Sequence, residues 1–227
     1  MVEITIAEIE DDIPFQEDLL SLVSEHRRNR IIRYKNELDK KRSLLAELLI
    51  QKAVMEKTGL KNAAISRNKY GKPYIKDVEN FYFNISHSGN YVVIGVSEKE
   101  IGIDIEKKDR VDYRVAERFF SKKEVQAIFS CSGEQEKIDT FYQIWTLKES
   151  YVKVLGKGLS IPLSSFEFDI SDEIKVNDPK QRVFFHFYHR FIQDYSLAVS
   201  YAEMDVNYNI CFIHENRMYG DMKTLLK

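Results

Sequence analysis

Three acidic residues mark the part of this chain best suited to chemistry: Asp104 and Glu106 in Ile-Gly-Ile-Asp-Ile-Glu, and Glu149 in Trp-Thr-Leu-Lys-Glu-Ser. In a strand, side chains two apart share a face. Asp104 and Glu106 would therefore stand side by side, with Ile101, Ile103 and Ile105 on the opposite, apolar face. Neighbouring carboxylates repel unless a cation joins them. Oxygen ligands without nearby thiolates or a histidine cluster favour magnesium, with manganese the alternative, and magnesium commonly completes its shell with substrate phosphates. A polyphosphate substrate is implied. The competing reading is a solvated acidic strand, with Glu149 and Lys153, four apart on a helix, forming a surface pair worth about 0.3–0.5 kcal/mol. Trp145, one turn before Glu149 on the same side, argues that this helix face is packed.

Two further clusters suit anions. Between Arg27 and Arg42, eight cations (Arg27, Arg28, Arg30, Arg33, Lys35, Lys40, Lys41, Arg42) face only Glu37 and Asp39. That excess could bind phosphate or simply coat a helix. Ser86, His87 and Ser88 fall at the end of a strand, where hydroxyls and an imidazole can donate to phosphate oxygens. Nucleic acid is poorly supported: Tyr34 is the segment's only aromatic, and the chain has a formal net charge of -2. No G-x-S-x-G signals a serine hydrolase.

The elements that must position these groups follow from periodicity. Strands are expected over Thr5–Ile9, Phe81–Ile85, Tyr91–Val96 and Ile101–Ile105, and short helices over Phe15–Val23 and Val115–Phe120. A core helix spans Leu44–Val54 and stops near Gly59; a longer one runs from Ile138 to Leu155 and stops at Gly156. Ser121 and Glu124 have capping-box spacing, and residues 70–73 form a turn. Later strands are expected at Ser165–Asp169, Arg182–Tyr188 and Ser196–Tyr201. Asn90-Tyr91-Val92-Val93 and Asp194-Tyr195-Ser196-Leu197 open strands in corresponding places, a faint sign of duplication.

The 227 residues, 44% hydrophobic with only 9 Gly and 4 Pro, describe a globular chain with room for a sizeable core. Cys131 and Cys211 form no C-x-x-C and suit a reducing compartment. The acidic amino terminus does not read as a signal peptide, and the apolar run 91–96 is too short to cross a bilayer, so the protein is expected to be cytoplasmic and not membrane-bound.

The segments YGKPY (70–74), FNISHSG (83–89), IGIDIE (101–106), RFFSKKE (118–124) and WTLKESYVKVLGKGL (145–159), in this order, closely resemble the 4′-phosphopantetheinyl transferases of the surfactin-synthetase-activating type. The resemblance implies an α+β pseudodimer: two similar halves, each a small antiparallel sheet packed with helices, acting as a monomer with coenzyme A in the cleft between them. Residues 1–100 would carry the coenzyme phosphate contacts, and 101–227 the metal ligands and carrier docking. By the same resemblance Asp104, Glu106 and Glu149 bind magnesium, and Glu149 and Lys153 are catalytic. Arg27, Arg30, Arg42, Lys72, Ser86, His87, Lys148 and Lys153 contact coenzyme A.

The implied reaction moves phosphopantetheine to a serine of an apo acyl or peptidyl carrier protein and releases 3′,5′-ADP. The stretch Lys157–Phe166, with Leu159, Ile161 and Leu163, offers either a carrier landing surface or a buried strand with its lead-in. A magnesium-dependent pyrophosphatase and a non-catalytic coenzyme A binding module remain as alternatives.

Overall fold

Alternation in Val2–Glu8 produces the opening strand, β1, with Val2, Ile4 and Ile6 buried. The computed structural model describes residues 1–61, 63–171, 173–202 and 208–225. After β1, the short helix expected over Phe15–Val23 is a 3-10 helix at Glu17–Leu22. Helix α1 (Glu25–Ile32) begins where Ser24 Oγ accepts a hydrogen bond from the Arg27 amide. Helix α2 (Glu37–Thr58) is capped by the Asn36 side chain and ends on Gly59 at φ 74°, a conformation costly for residues with a Cβ.

Strands β2 (Ile65–Arg67) and β3 (Pro73–Ile75) form a small ribbon. Strands β4 (Tyr82–Ser88), β5 (Tyr91–Ser97) and β6 (Ile101–Lys107) follow. Helices α3 (Arg114–Phe119) and α4 (Lys122–Phe129) come next; α4 has the expected Ser121–Glu124 capping box. Helix α5 (Glu134–Leu155) ends on Gly156 at φ 65°. A second ribbon, β7 (Glu167–Asp169) with β8 (Lys175–Asn177), precedes β9 (His186–Ile192) and β10 (Tyr195–Tyr201). Strand β9 starts four residues later than Arg182 because Val183 and Phe184 stay exposed outside the sheet.

The chain order repeats. The first sheet contains β1-β5-β4 and the second β6-β10-β9, and each of these neighbouring pairs is antiparallel. A 22-residue helix covers each sheet, α2 on the first and α5 on the second. The protein is thus an α+β fold of two similar halves. Their inner faces share one core, in which Val2, Ile4 and Ile6 meet Ile101, Ile103, Ile105, Leu197 and Val199. Tyr91 and Tyr195, the first residues of β5 and β10, pack edge to face at 4.6 Å between ring centroids.

One departure from all-antiparallel sheets lies at the carboxyl terminus. Strand β11 (Tyr208–His214) pairs parallel to β1, making the first sheet β11-β1-β5-β4, and helix α6 (Glu215–Leu225) packs beside α2. Lys41 on α2 anchors it: its ammonium meets Glu215 at 3.3 Å and the Glu10 carbonyl at 2.7 Å in a buried setting. The division proposed at residue 100 must therefore return 208–225 to the first half.

Candidate functional site

The site forms where β4, the edge of the first sheet, runs beside β6, the edge of the second. The two strands are joined through β4 side chains. Asn84 Oδ1 accepts from the Ile103 amide at 3.0 Å, Ser86 Oγ donates to Asp104 Oδ1 at 2.8 Å, and Ser88 Oγ donates to Glu106 Oε2 at 2.9 Å. The three polar residues of FNISHS at period two thus all face the partner strand.

Helix α5 completes the site by coming unusually close to β6. A Cβ at Gly102 would lie 2.0 Å from the Ser150 carbonyl oxygen and 2.4 Å from the Val154 amide nitrogen, so this position admits only glycine without movement. Small residues keep the same contact on β10: Thr146 and Ser196 hydroxyls meet at 2.9 Å, and Ser150 and Ser200 at 2.8 Å. The approach brings Lys153 Nζ to 2.5 Å from Asp104 Oδ1, 3.0 Å from Ser86 Oγ and 3.2 Å from the Ile103 carbonyl.

The isoleucines of β6 point into the shared core as expected, but Asp104 is buried too, at 3% exposure, rather than lying on a solvated face. Its Oδ2 is buried without a hydrogen-bond partner. Burial, then repulsion from Asp104, raises the Glu106 carboxyl above its ordinary range, with Glu149 adding to the effect. Glu149 is raised for the same two reasons and partly relieved by Lys153. Mutual repulsion and an orphaned anionic oxygen fit a hard cation held by Asp104, Glu106 and Glu149. Among the described residues no three such groups stand at ligating geometry in this arrangement, where Lys153 already neutralises Asp104.

Beside these acids opens a cleft of about 640 Å³ between the halves, lined by Arg27, Arg30, Arg42, Lys72, Ser86, His87 and Lys153 among others. Arg27 is paired with Glu47 at 2.9 Å, and Arg30 donates to Tyr34 Oη at 3.0 Å. Arg42 is already engaged: it donates twice to the Gly89 carbonyl and once to Asp39, fixing the turn after His87. Burial first, then Arg42 and Lys153, lower the His87 pKa, so its ring is neutral at pH 7. Lys72 reaches across the cleft to the Val154 carbonyl at 3.2 Å, and Asn68 Nδ2 donates to the Gly156 carbonyl at 3.0 Å.

Lys148, expected among the coenzyme contacts, is a correction. It lies on the far side of α5 with no exposure, 2.9 Å from Glu124 Oε2 and 2.8 Å from both the Leu163 and Phe166 carbonyls. Helical spacing explains this: Lys148 and Lys153 are five residues apart and project to different sides of α5. Along the suggested docking stretch, Ile161 and Leu163 pack partly buried against the second core and Phe166 is buried, while the Leu159 side chain lies outside the described residues. Arg67, which sequence reasoning passed over, lines the cleft from the end of β2. Its signal was slight: a single arginine just before the YGKP turn.

Residues 100–200 match the model of the 4′-phosphopantetheinyl transferase superfamily, and residues 14–99 match that of the 4′-phosphopantetheinyl transferase amino-terminal region. A 4′-phosphopantetheinyl transferase of Bacillus subtilis is 37% identical over 196 residues, covering 84% of this chain and 87% of its own. The 4′-phosphopantetheinyl transferase ffp of the same species is 40% identical over 161 residues, 70% of this chain and 71% of that one. The human L-aminoadipate-semialdehyde dehydrogenase-phosphopantetheinyl transferase is 36% identical over 148 residues, 59% of this chain and 48% of its own.

Proposed function

The chain belongs to the 4′-phosphopantetheinyl transferase superfamily, and from that membership and the cleft we propose magnesium-dependent transfer of phosphopantetheine from coenzyme A to a serine of an apo acyl or peptidyl carrier protein. The observation that carries this reading is a cleft lined by Arg27, Arg30, Arg42 and Lys72 of the first half and by Lys153 of the second, whose ammonium is bonded to the buried Asp104 carboxylate. A basic wall that ends beside a cluster of carboxylates suits a pyrophosphate, with the carboxylates available to a cation.

In the proposed reaction the serine oxygen bonds to the phosphorus bearing the pantetheine arm. The bond from that phosphorus to the bridging oxygen of the pyrophosphate breaks, and 3′,5′-ADP leaves with the electron pair. Glu149 accepts the serine proton; its raised pKa makes it a stronger base than an ordinary glutamate. Lys153 holds Asp104 and Ser86 in register and supplies positive charge to the departing phosphate. Arg27, Arg30 and Lys72 bind phosphate oxygens, and neutral His87 donates one N–H. Asp104, Glu106 and Glu149 would hold magnesium, which when bound neutralises charge on the pyrophosphate.

The test incubates the protein with coenzyme A, magnesium and an apo carrier and weighs the carrier. Transfer adds one phosphopantetheine to the carrier. A hydrolase would consume coenzyme A without modifying it, and a binding module would do neither. Glu149→Gln keeps shape but loses the base, so the rate should fall by on the order of a hundredfold; a rate within threefold of wild type removes Glu149 from the reaction.

A further inference from the structure

Ser88, read from the sequence as a donor to phosphate, has no hydrogen to spare. The Lys107 amide donates to its Oγ at 3.0 Å, and its own hydrogen goes to Glu106 Oε2 at 2.9 Å. A serine hydroxyl carries one O–H donor and two acceptor lone pairs. The incoming amide therefore takes a lone pair and leaves the single hydrogen for the carboxylate. Asp104 is held differently: it receives both the Ser86 hydroxyl and the Lys153 ammonium. Ser88 supplies the one hydrogen bond donated to Glu106 among the described residues, and that bond goes to Oε2, not Oε1. The backbone that carries Ser88 is fixed in turn. Gly89, the next residue, stands at φ 51°, where a Cβ would lie 2.1 Å from Tyr195 Oη, and the same oxygen accepts the Asn90 amide at 3.0 Å. From α2, Arg42 donates twice to the Gly89 carbonyl. One side chain from each half thus grips the turn after Ser88.

We propose that Ser88 is a positioning residue: its hydroxyl, oriented by the Lys107 amide, presets the Glu106 carboxylate and so decides how tightly and how selectively the site takes magnesium. The inference rests on the magnesium reading of the three acids. Partners that orient a ligating side chain change metal affinity by about tenfold to a hundredfold when removed, because an unheld ligand must be ordered at the moment of binding. The loss should differ between ions. Magnesium demands near-ideal octahedral geometry at about 2.0–2.1 Å, whereas calcium accepts more oxygens at longer and more variable distances. A Glu106 free to rotate therefore penalises magnesium more than calcium. The hydroxyl does not touch the donor or the attacking serine in this role; it acts through Glu106 alone.

Calorimetric titration of magnesium and of calcium into the protein saturated with coenzyme A tests this, using wild type, Ser88→Ala, Ser88→Thr and Asp104→Ala. Magnesium should bind Ser88→Ala about tenfold to a hundredfold more weakly, while calcium binding stays within about threefold of wild type. Ser88→Thr keeps the hydroxyl and should recover most of the loss. The melting temperature of metal-free Ser88→Ala should fall by only about 2–4 °C for one lost hydrogen bond, so the folded variant can be titrated. In transfer assays, the magnesium concentration that gives half the maximal rate should rise by the same factor as the dissociation constant. Equal weakening of both cations would assign Ser88 to strand spacing through the Lys107 amide and overturn the proposal, as would a failure of Ser88→Thr to recover affinity. Magnesium binding to wild type that Asp104→Ala leaves unchanged sinks the metal reading itself; binding that depends on Asp104 but is the same in Ser88→Ala as in wild type sinks this inference alone.

Discussion

Replacing Gly102 by Ala tests whether the contact between α5 and β6 sets the geometry of the site. The added Cβ would stand 2.0 Å from the Ser150 oxygen, 2.4 Å from the Val154 nitrogen and 3.0 Å from the Lys153 carbonyl carbon. Carbon needs roughly 3.5 Å from such neighbours. The obstacle is helix backbone, not a side chain that could rotate, so α5 must withdraw by on the order of 1 Å. Forced overpacking of this kind costs about 1–3 kcal/mol, or several degrees of melting temperature in a chain of this length. The withdrawal also carries Glu149 and Lys153 away from Asp104, and a misplacement of about 1 Å can cost roughly a hundredfold in rate. The assays are thermal denaturation and carrier modification followed by mass spectrometry. Gly220→Ala is the control: nothing lies within 4 Å of a Cβ there, and an added methyl on helix α6 should leave stability level or slightly higher. If Gly102→Ala melts within about 1 °C of wild type and transfers within threefold of it, the close approach does not position the catalytic groups.

Two other changes separate stability from chemistry. Lys148→Met leaves Glu124 buried beside an apolar chain, and breaking such a pair costs about 3–5 kcal/mol; the KM for coenzyme A of the protein that still folds should be unchanged, and a selective rise in KM would return Lys148 to the cofactor site. His189, held by burial and then by Lys108 at a pKa of about 4 against an ordinary 6.5, is neutral in the folded state. The unfolded chain binds the extra proton between those values, so stability is full above pH 6.5 and declines as pH falls toward 4, by at most about 3 kcal/mol. Denaturation curves at pH 7 and 4.5 should converge in His189→Phe relative to wild type; equal pH slopes in both proteins would refute the assignment.

Much of this was legible in the sequence because it was local. The period-two pattern of 101–106 placed the isoleucines in the core, the capping box fixed the start of α4, and the glycines at 59 and 156 ended the two long helices where left-handed backbone is required. What escaped depended on distant partners. The burial of Asp104 comes from Ser86 and from a helix nearly fifty residues later. The direction of Lys148 depends on Glu124 and on carbonyls of the segment after α5. Arg67 has meaning only beside Arg27 and Arg30. No periodicity indicated that Tyr208–His214 would leave the half it follows and pair with β1.

That last pairing governs the order in which the molecule can be made. During synthesis from the amino terminus, β1 has β5 on one side as soon as residue 97 has emerged, but its other edge waits for residues 208–214. Until then a buried apolar strand offers a free row of amides and carbonyls, the arrangement most prone to pair with another chain. Closing a loop of about two hundred residues is slow relative to local folding. The second half must therefore be largely built before the first is sealed, and the carboxyl-terminal strand with its Lys41–Glu215 tether acts as the final clasp on a sheet begun by the second residue of the chain.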